Sequence, residues 1–243
     1  MTDRSLSLTS SKYDDFRLLD LLLAAVALTL LCVLLPLLAL AIKLDSRGSV
    51  FFRQARLGRL GRPFEVTKFR TMVANAPGLF NPDGSRIVGK GDPRVTRMGR
   101  FLRLGLDELP QVFNVLRGQM SFIGPRPDDL HAVNHYQGVE WLKLADRPGL
   151  TGLAQVSGRN DLAWRDRIRY DVYYHYNRSL SLDLAIVWRT VALLLKLEVR
   201  RPLVDPQDLE RLLSVPAVAA DAERLRQHVQ GQGPANLPKG GQP

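Results

Sequence analysis

Cysteine is almost absent from this chain: Cys32 is the only one among 243 residues. That excludes an intrachain disulfide and any cysteine-rich zinc site. Histidine is scarce too. His131 and His135 stand four apart, as zinc ligands on a helix can, but the sequence offers them no third ligand, so they read as surface histidines. There is no Walker loop, no Gly-x-Gly-x-x-Gly and no internal repeat. Acidic residues are few beside basic ones, 24 against 34, and the formal net charge is +10. A chain this basic calls for an acidic partner: nucleic acid, an anionic membrane surface or phosphorylated small molecules. No nucleic-acid recognition motif accompanies the charge, so nucleic acid is not expected. The length and a hydrophobic fraction of 45% suit one main domain with appendages.

What is present begins with an apolar run. Leu21 to Ile42 carries no charge, and Thr29 is its one clearly polar residue. About 20 apolar residues span a bilayer core as a helix, so the run is long enough. Ala39-Leu40-Ala41 resembles a signal-peptide cleavage site, but the run is long for a signal core, and Asp14, Asp15 and Asp20 spoil the basic leader. The expectation is a segment retained in the membrane. Pro36 inside the run removes a backbone donor and predicts a kink or break. Lys12 and Arg17 precede the run, and Lys43, Arg47, Arg53 and Arg56 follow it, so charge does not separate its two ends. The residues alone leave two solutions: a kinked span, or a helix that bends at Pro36 and returns to the same face.

Further along, Val50 to Phe52 and Phe64 to Thr67 read as short strands around a basic turn, Arg56 to Arg62. Asn75 to Gly91 reads as a loop, and Pro110 to Arg117 as a helix ended by Gly118. Asp128 to Leu144 reads as helical, Thr151 to Val156 as a short strand, and Leu162 to Tyr176 as a helix. Leu180 to Leu197 is an apolar helix capped by Ser179 or Ser181, either in the core or at the membrane interface with Trp188 at headgroup depth. Beyond Arg201, one helical stretch, Ala217 to Val229, precedes a low-complexity tail, Gly231 to Pro243.

The most informative stretch is Asp107-Glu108-Leu109-Pro110-Gln111, two adjacent acids flanked by Arg94, Arg97, Arg100, Arg103, Arg117 and Arg126. One reading is a helix start capped by Gly105 or Asp107, with the acids at the positive helix end. The other is a site for a phosphorylated substrate, in which a carboxylate attacks or binds metal and guanidinium groups hold phosphate oxygens.

The order of motifs decides between them. Lys68-Phe69-Arg70-Thr71-Met72 precedes the acid pair, and Asn114-Val115-Leu116, Gly124-Pro125-Arg126-Pro127, Arg147-Pro148-Gly149-Leu150-Thr151-Gly152 and Gln155-Val156-Ser157-Gly158-Arg159 follow it. In this order the motifs closely resemble the bacterial sugar transferases, the monotopic phosphoglycosyl transferases that start lipid-linked glycan assembly. The resemblance covers roughly Arg17 to Lys196.

That resemblance implies transfer of a sugar 1-phosphate from a nucleoside diphosphate sugar, usually a uridine one, to polyprenol phosphate. Such a step begins lipid-linked polysaccharide or glycoconjugate synthesis, exopolysaccharide included. It implies Asp107 as the nucleophile that forms a phosphosugar intermediate, Glu108 as a ligand of Mg2+, and Lys68, Arg126 and Arg159, with Arg70 and Arg103, as phosphate-binding residues. It also implies an α+β fold: an N-terminal re-entrant membrane helix broken at Pro36, then a small, mainly helical catalytic domain with short strands and interfacial helices. The expected divisions are 1–46 for the tail and membrane helix, 47–200 for the catalytic domain and 201–243 for a partly disordered extension. The expected place is the cytoplasmic face of the bacterial inner membrane, with membrane lipids as partners and a homo-oligomer left open. Three departures stand out: Leu35-Pro36 where the family often has Ser-Pro, Ser46-Arg47-Gly48-Ser49 where a proline-rich exit is usual, and Arg103 four rather than five residues before Asp107. The rival from another class is a non-catalytic, membrane-anchored partner of a glycan-assembly complex; intact Asp107, Glu108, Lys68 and Arg126 argue against it.

Overall fold

The apolar run folds as one long helix. In the computed structural model, which describes residues 17–79, 91–158, 162–195, 197 and 203–231, helix α1 spans Arg17–Asp45. Its 29 residues give it a length of about 43 Å at 1.5 Å per residue. It is the one helix among the described residues long and apolar enough to cross a membrane. Asp20, Ala24, Ala27, Leu31, Leu38 and Ile42 form a single buried stripe. The stripe packs on Val66, Phe69, Leu102, Val112, Val115 and Met120. Leu22, Val26, Leu30, Val33, Leu37, Leu40 and Leu44 cover the rest of the helix and are exposed, an apolar surface that no other described part of the chain covers. The break expected at Pro36 is not seen: Pro36 lies within α1 on this exposed side, where its missing donor is tolerated, and the helix continues through it.

Both ends of α1 are tied to the rest of the chain by carboxylates outside the apolar run. Asp20 accepts from Ser121 Oγ at 2.8 Å and from the Phe122 amide at 2.6 Å. Asp45 accepts from the Met98 amide at 2.8 Å. The guanidinium of Arg70 donates to the carbonyls of Ser46 and Arg47, just past the helix end.

Strands β1 (Phe51–Leu57) and β2 (Pro63–Phe69) form the expected antiparallel hairpin, each longer than read, with Phe51 opposite Phe69 and Leu57 opposite Pro63. Leu60 and Gly61, both at positive φ, close its basic turn. Asn75 to Leu79 carries no helix or strand, as expected, and the remainder of that loop up to Gly91 lies outside the described residues. A short helix α2 (Arg97–Leu102), capped by Thr96 Oγ1 on the Gly99 amide at 2.9 Å, follows; it was not anticipated. Helix α3 (Val112–Leu116), preceded by one 3-10 turn, ends at Gly118 with φ +73°, as read.

Two expectations are corrected here. Asp128 to Leu144 is not an α-helix but two 3-10 stretches, Leu130–His135 and Gly138–Ala145. Extended backbone at Tyr136 and Gln137 separates them, and Gly138 takes a positive φ. The break lets Tyr136 stack on Trp164 at 5.8 Å and place its hydroxyl 2.8 Å from Asp128. Thr151 to Val156 divides into the end of strand β4 (Gly149–Thr151) and a short helix, α4 (Leu153–Ser157). The apolar run alone could not separate strand from helix. Strand β4 pairs in parallel with β3 (Ser121–Ile123).

Helices α5 (Trp164–Asn177) and α6 (Leu180–Leu194) fall where the sequence placed them, α6 with Ser179 as its cap. Helix α6 has one buried side and one exposed apolar side. Asp183 and Ile186 face inward, while Leu180, Leu184, Trp188, Val191 and Leu194 are exposed. Near the C-terminus, α7 (Pro206–Leu213) and α8 (Pro216–Gly231) are ordered helices. Val218, Ala222, Leu225 and Val229 of α8 share a core with Trp141, Leu142, Trp164 and Ile168. Burying an aliphatic side chain of this size contributes roughly 1.5–3 kcal/mol, so α8 is an integral part of this core. The tail beyond Gly231 lies outside the described residues.

Candidate active site

The hairpin is the frame of the site. Lys68 sits near the end of β2, and the amide of the next residue, Phe69, donates to the backbone carbonyl of Asp107 at 2.9 Å. At the far end of β1, the Leu57 amide donates to the carbonyl of Asp128 at 2.9 Å. One element therefore holds both the acid pair and the segment that follows Arg126.

The acid pair lies on a tight turn after α2. Gly105 has φ +126°, and a Cβ there would meet Leu194 Cδ2 at 2.5 Å, so the turn requires glycine. Glu108 occupies the N-cap position of the 3-10 turn Leu109–Gln111, yet its side chain makes no cap bond. Its carboxylate instead receives Lys68 Nζ at 2.8 Å and Arg126 Nη2 at 2.8 Å, with Arg126 Nη1 at 3.4 Å. The acids do precede a helical turn, as the helix-start reading had it, but the Glu108 carboxylate is given to Lys68 and Arg126 and not to capping.

The two neighbouring acids are driven apart electrostatically. Burial alone would raise both. For Glu108 the charges of Arg126 and Lys68 outweigh burial and hold the carboxyl well below its usual range. For Asp107, burial and the adjacent Glu108 charge win over Lys68, Arg126 and Arg103, and its pKa is pushed from 3.8 up to about 6. Burial also pulls the Lys68 ammonium down, against the pull of Glu108. One carboxylate is thus a fixed anion, and the other is an anion at neutral pH to which no described side chain is hydrogen-bonded.

Arg126 stands 45% exposed at the tip of a rigid arm, Gly124-Pro125-Arg126-Pro127. The arm begins where β3 crosses β4. A Cβ on Gly149 would lie 2.1 Å from Gly124 N, and one on Gly152 would lie 2.1 Å from Gly124 O. The glycines of the two motifs therefore exist to let these backbones touch. The Gly124 amide donates to Thr151 O at 2.9 Å, and Gly149 to Pro125 O at 2.8 Å. Behind the arm, Asp128 is paired with Lys143 at 2.7 Å, and Asp129 with Arg56 at 2.8 Å and Gln54 at 2.9 Å. Asp128, Asp129, Lys143 and Arg56 were not singled out in the sequence. The Asp-Asp doublet directly after Pro127 was the available signal.

Of the residues proposed from the sequence, Asp107, Glu108, Lys68 and Arg126 are brought together. Arg103 is near enough for its charge to act on Asp107, and its Nε donates to Thr71 Oγ1 at 3.2 Å. Arg70 is not brought to the acid pair: it is buried against the end of α1, on the Ser46 and Arg47 carbonyls. Arg159 lies outside the described residues. His131 and His135 lie in and at the end of a 3-10 stretch, and no group of three or more His, Cys, Asp or Glu that could hold a metal occurs among the described residues.

The family model described as bacterial sugar transferase matches residues 15–197. Exopolysaccharide production protein ExoY of Rhizobium meliloti is 42% identical over 72% of this chain and 83% of its own length. A UDP-glucose:undecaprenyl-phosphate glucose-1-phosphate transferase of Caulobacter vibrioides is 47% identical over 74% of this chain and 69% of its own length. A UDP-N-acetylgalactosamine-undecaprenyl-phosphate N-acetylgalactosaminephosphotransferase of Aeromonas hydrophila is 40% identical over 73% of this chain, which spans 43% of that longer protein.

Proposed function

The chain belongs to the bacterial sugar transferase family, and from that premise we propose that it transfers a sugar 1-phosphate from a uridine diphosphate sugar to undecaprenyl phosphate, or a similar polyprenol phosphate, at a membrane. The observation that carries the reading is the asymmetry of the acid pair: Glu108 clasped by Lys68 and Arg126, with Asp107 beside it ionised and uncommitted. The names of relatives that use UDP-glucose and UDP-N-acetylgalactosamine support a UDP-sugar donor without choosing the sugar.

In this reading an Asp107 carboxylate oxygen attacks the sugar-proximal phosphorus. The bond from that phosphorus to the bridging oxygen breaks, and the nucleoside monophosphate leaves with the electron pair. A phosphate oxygen of the lipid acceptor then attacks the same phosphorus, the bond to Asp107 breaks, and the carboxylate is restored. Attack by one anion on another is opposed by repulsion, and Lys68, Arg126 and Arg103 supply the positive field that offsets it. A magnesium ion suits this site: one or two carboxylates with substrate phosphates form its usual donor set, and burial and the Glu108 charge, which raise Asp107, are what a nearby cation offsets. Glu108, beside Asp107, would hold the ion, which when bound neutralises pyrophosphate charge and polarises phosphoryl oxygens.

The re-entrant placement of α1 is part of the proposal. Asp20 near one end and Asp45 at the other are hydrogen-bonded to the same body of the chain, which favours both ends on one side of the bilayer. That side would be the cytoplasmic face of the inner membrane, where soluble donor and embedded acceptor meet. The uncovered apolar faces of α1 and α6 support contact with lipid. A non-catalytic partner would have no need for two cations converging on Glu108. The test is turnover with a panel of UDP-sugars: Asp107→Asn should lose all activity while still folding, and Glu108→Gln should weaken the magnesium dependence. A fully active Asp107→Asn variant would sink the assignment.

A further inference from the structure

We propose that Asp20 is a positioning residue for Arg126, so that the first turn of the membrane helix sets the phosphate-binding arm of the site. The inference rests on the phosphosugar-transfer reading above and assigns a role to a residue that reading does not use.

The geometry begins at β3, which has only three residues and, among the described residues, one neighbouring strand. Ser121 and Ile123 pair with Gly149 and Thr151 of β4, and the Ser121 amide donates to Pro148 O at 2.8 Å. The alternate amide, Phe122, points to the other edge, where a further strand would ordinarily receive it. Asp20 receives it there, at 2.6 Å. Ser121 Oγ lies 2.8 and 3.0 Å from the two oxygens of the same carboxylate. Asp20 is 4% exposed, and every other buried residue of its stripe is Ala, Leu or Ile. A helix packs on a strand with apolar side chains alone. A buried carboxylate is costly unless it is fully hydrogen-bonded, and its bonds fix register where apolar contact would allow sliding.

The register it fixes is that of Arg126. Phe122 is followed by Ile123, buried, and by Gly124, pressed against Arg147 O and the backbone of Gly149. Two prolines then bracket Arg126 and restrict the backbone dihedrals of the arm. There is little slack between the strand held by Asp20 and the guanidinium on Glu108. A small slip of β3 would therefore be delivered to Arg126.

A double-mutant cycle tests this on the full-length protein in lipid nanodiscs. Asp20→Asn, Arg126→Ala and the double variant are compared by single-turnover release of uridine monophosphate, using whichever of UDP-glucose, UDP-galactose and UDP-N-acetylgalactosamine the wild type consumes, and by thermal unfolding. With Arg126 intact, Asp20→Asn should slow release about tenfold or more, with donor KM little changed. With Arg126 already removed, the same substitution should cost less than about twofold in rate while lowering the unfolding temperature by the same amount as before. Equal fold-losses in both backgrounds would overturn the proposal, because a merely structural Asp20 acts independently of Arg126. If Asp20→Asn does not fold, Ser121→Ala, which keeps the bond to Phe122, decides by the same comparison with a smaller loss. A wild type that releases no uridine monophosphate from any donor would instead refute the functional reading, and the proposal would fall with it.

Discussion

Two adjacent carboxylates given different neighbours become two different reagents. Glu108 is held anionic by Arg126 and Lys68, whereas Asp107 titrates at about 6 because burial and Glu108 both disfavour its charge. A nucleophile must be ionised, so kcat/KM should rise with pH through an acid limb near 6 in the free enzyme and level off above it. The same shift has a stability consequence. Asp107 binds its proton more tightly folded than unfolded, so its stabilising contribution is complete below 3.8 and lost as pH rises through about 6. Asp107→Asn should therefore raise the thermal midpoint at pH 7.5, by an amount equivalent to about 1–2 kcal/mol after allowing for partial exposure, and the gain should narrow as pH falls below 6. Unfolding scans of both proteins across that range check this; an Asp107→Asn protein less stable at pH 7.5 would mean that the carboxylate is a structural anion. At this scale the sequence was readable where motif residues meet each other, as Lys68, Glu108 and Arg126 do. The resemblance offered Arg70 as a phosphate-binding residue, and a basic motif position does not reveal that its guanidinium serves the carbonyls past α1.

Among the elements, α1 carries the least usual demand. Its apolar stripe packs on the domain along the whole helix, both ends are pinned by carboxylates, and no described residue covers the other faces. A helix attached in this way should present both termini to one compartment. Cysteines placed at Ser10 and Ser46 in a Cys32→Ala background should both escape an impermeant thiol reagent in intact cells and both react after the cells are opened. Modification of one site only in intact cells would establish a span. Element types were legible where pattern and punctuation agreed, as for the hairpin, α5 and the Ser179-capped α6. They were not where long-range bonds decide. Tyr136 and Gly138 break what reads as one helix, and the close passage of Gly99 by Thr71 O gives α2 a packing reason invisible in its six residues. Helix α7 did carry a local signal, Asp205 as cap with Pro206 in the first turn.

For the whole molecule, the net charge of +10 and the uncovered apolar helices fit a protein that works where an anionic lipid surface meets phosphorylated substrates. The mixed helix-and-strand class was legible in the sequence, and the structure brings Asp107, Glu108, Lys68 and Arg126 together through one hairpin that joins motifs far apart in sequence. The packing of α8 on Trp141 and Trp164 was not, since composition marks a tail without showing what it covers. The central claim is that Asp107 becomes covalently bonded to the phosphosugar before any lipid acceptor is engaged. Purified protein should be mixed with magnesium and its preferred UDP-sugar, without polyprenol phosphate, and followed by nucleotide analysis and intact-protein mass spectrometry. About one equivalent of uridine monophosphate per active site and a matching gain of one phosphosugar on Asp107 are expected, both absent in Asp107→Asn. Release of uridine diphosphate, or release of monophosphate only when the lipid acceptor is present and with no gain in protein mass, would contradict it.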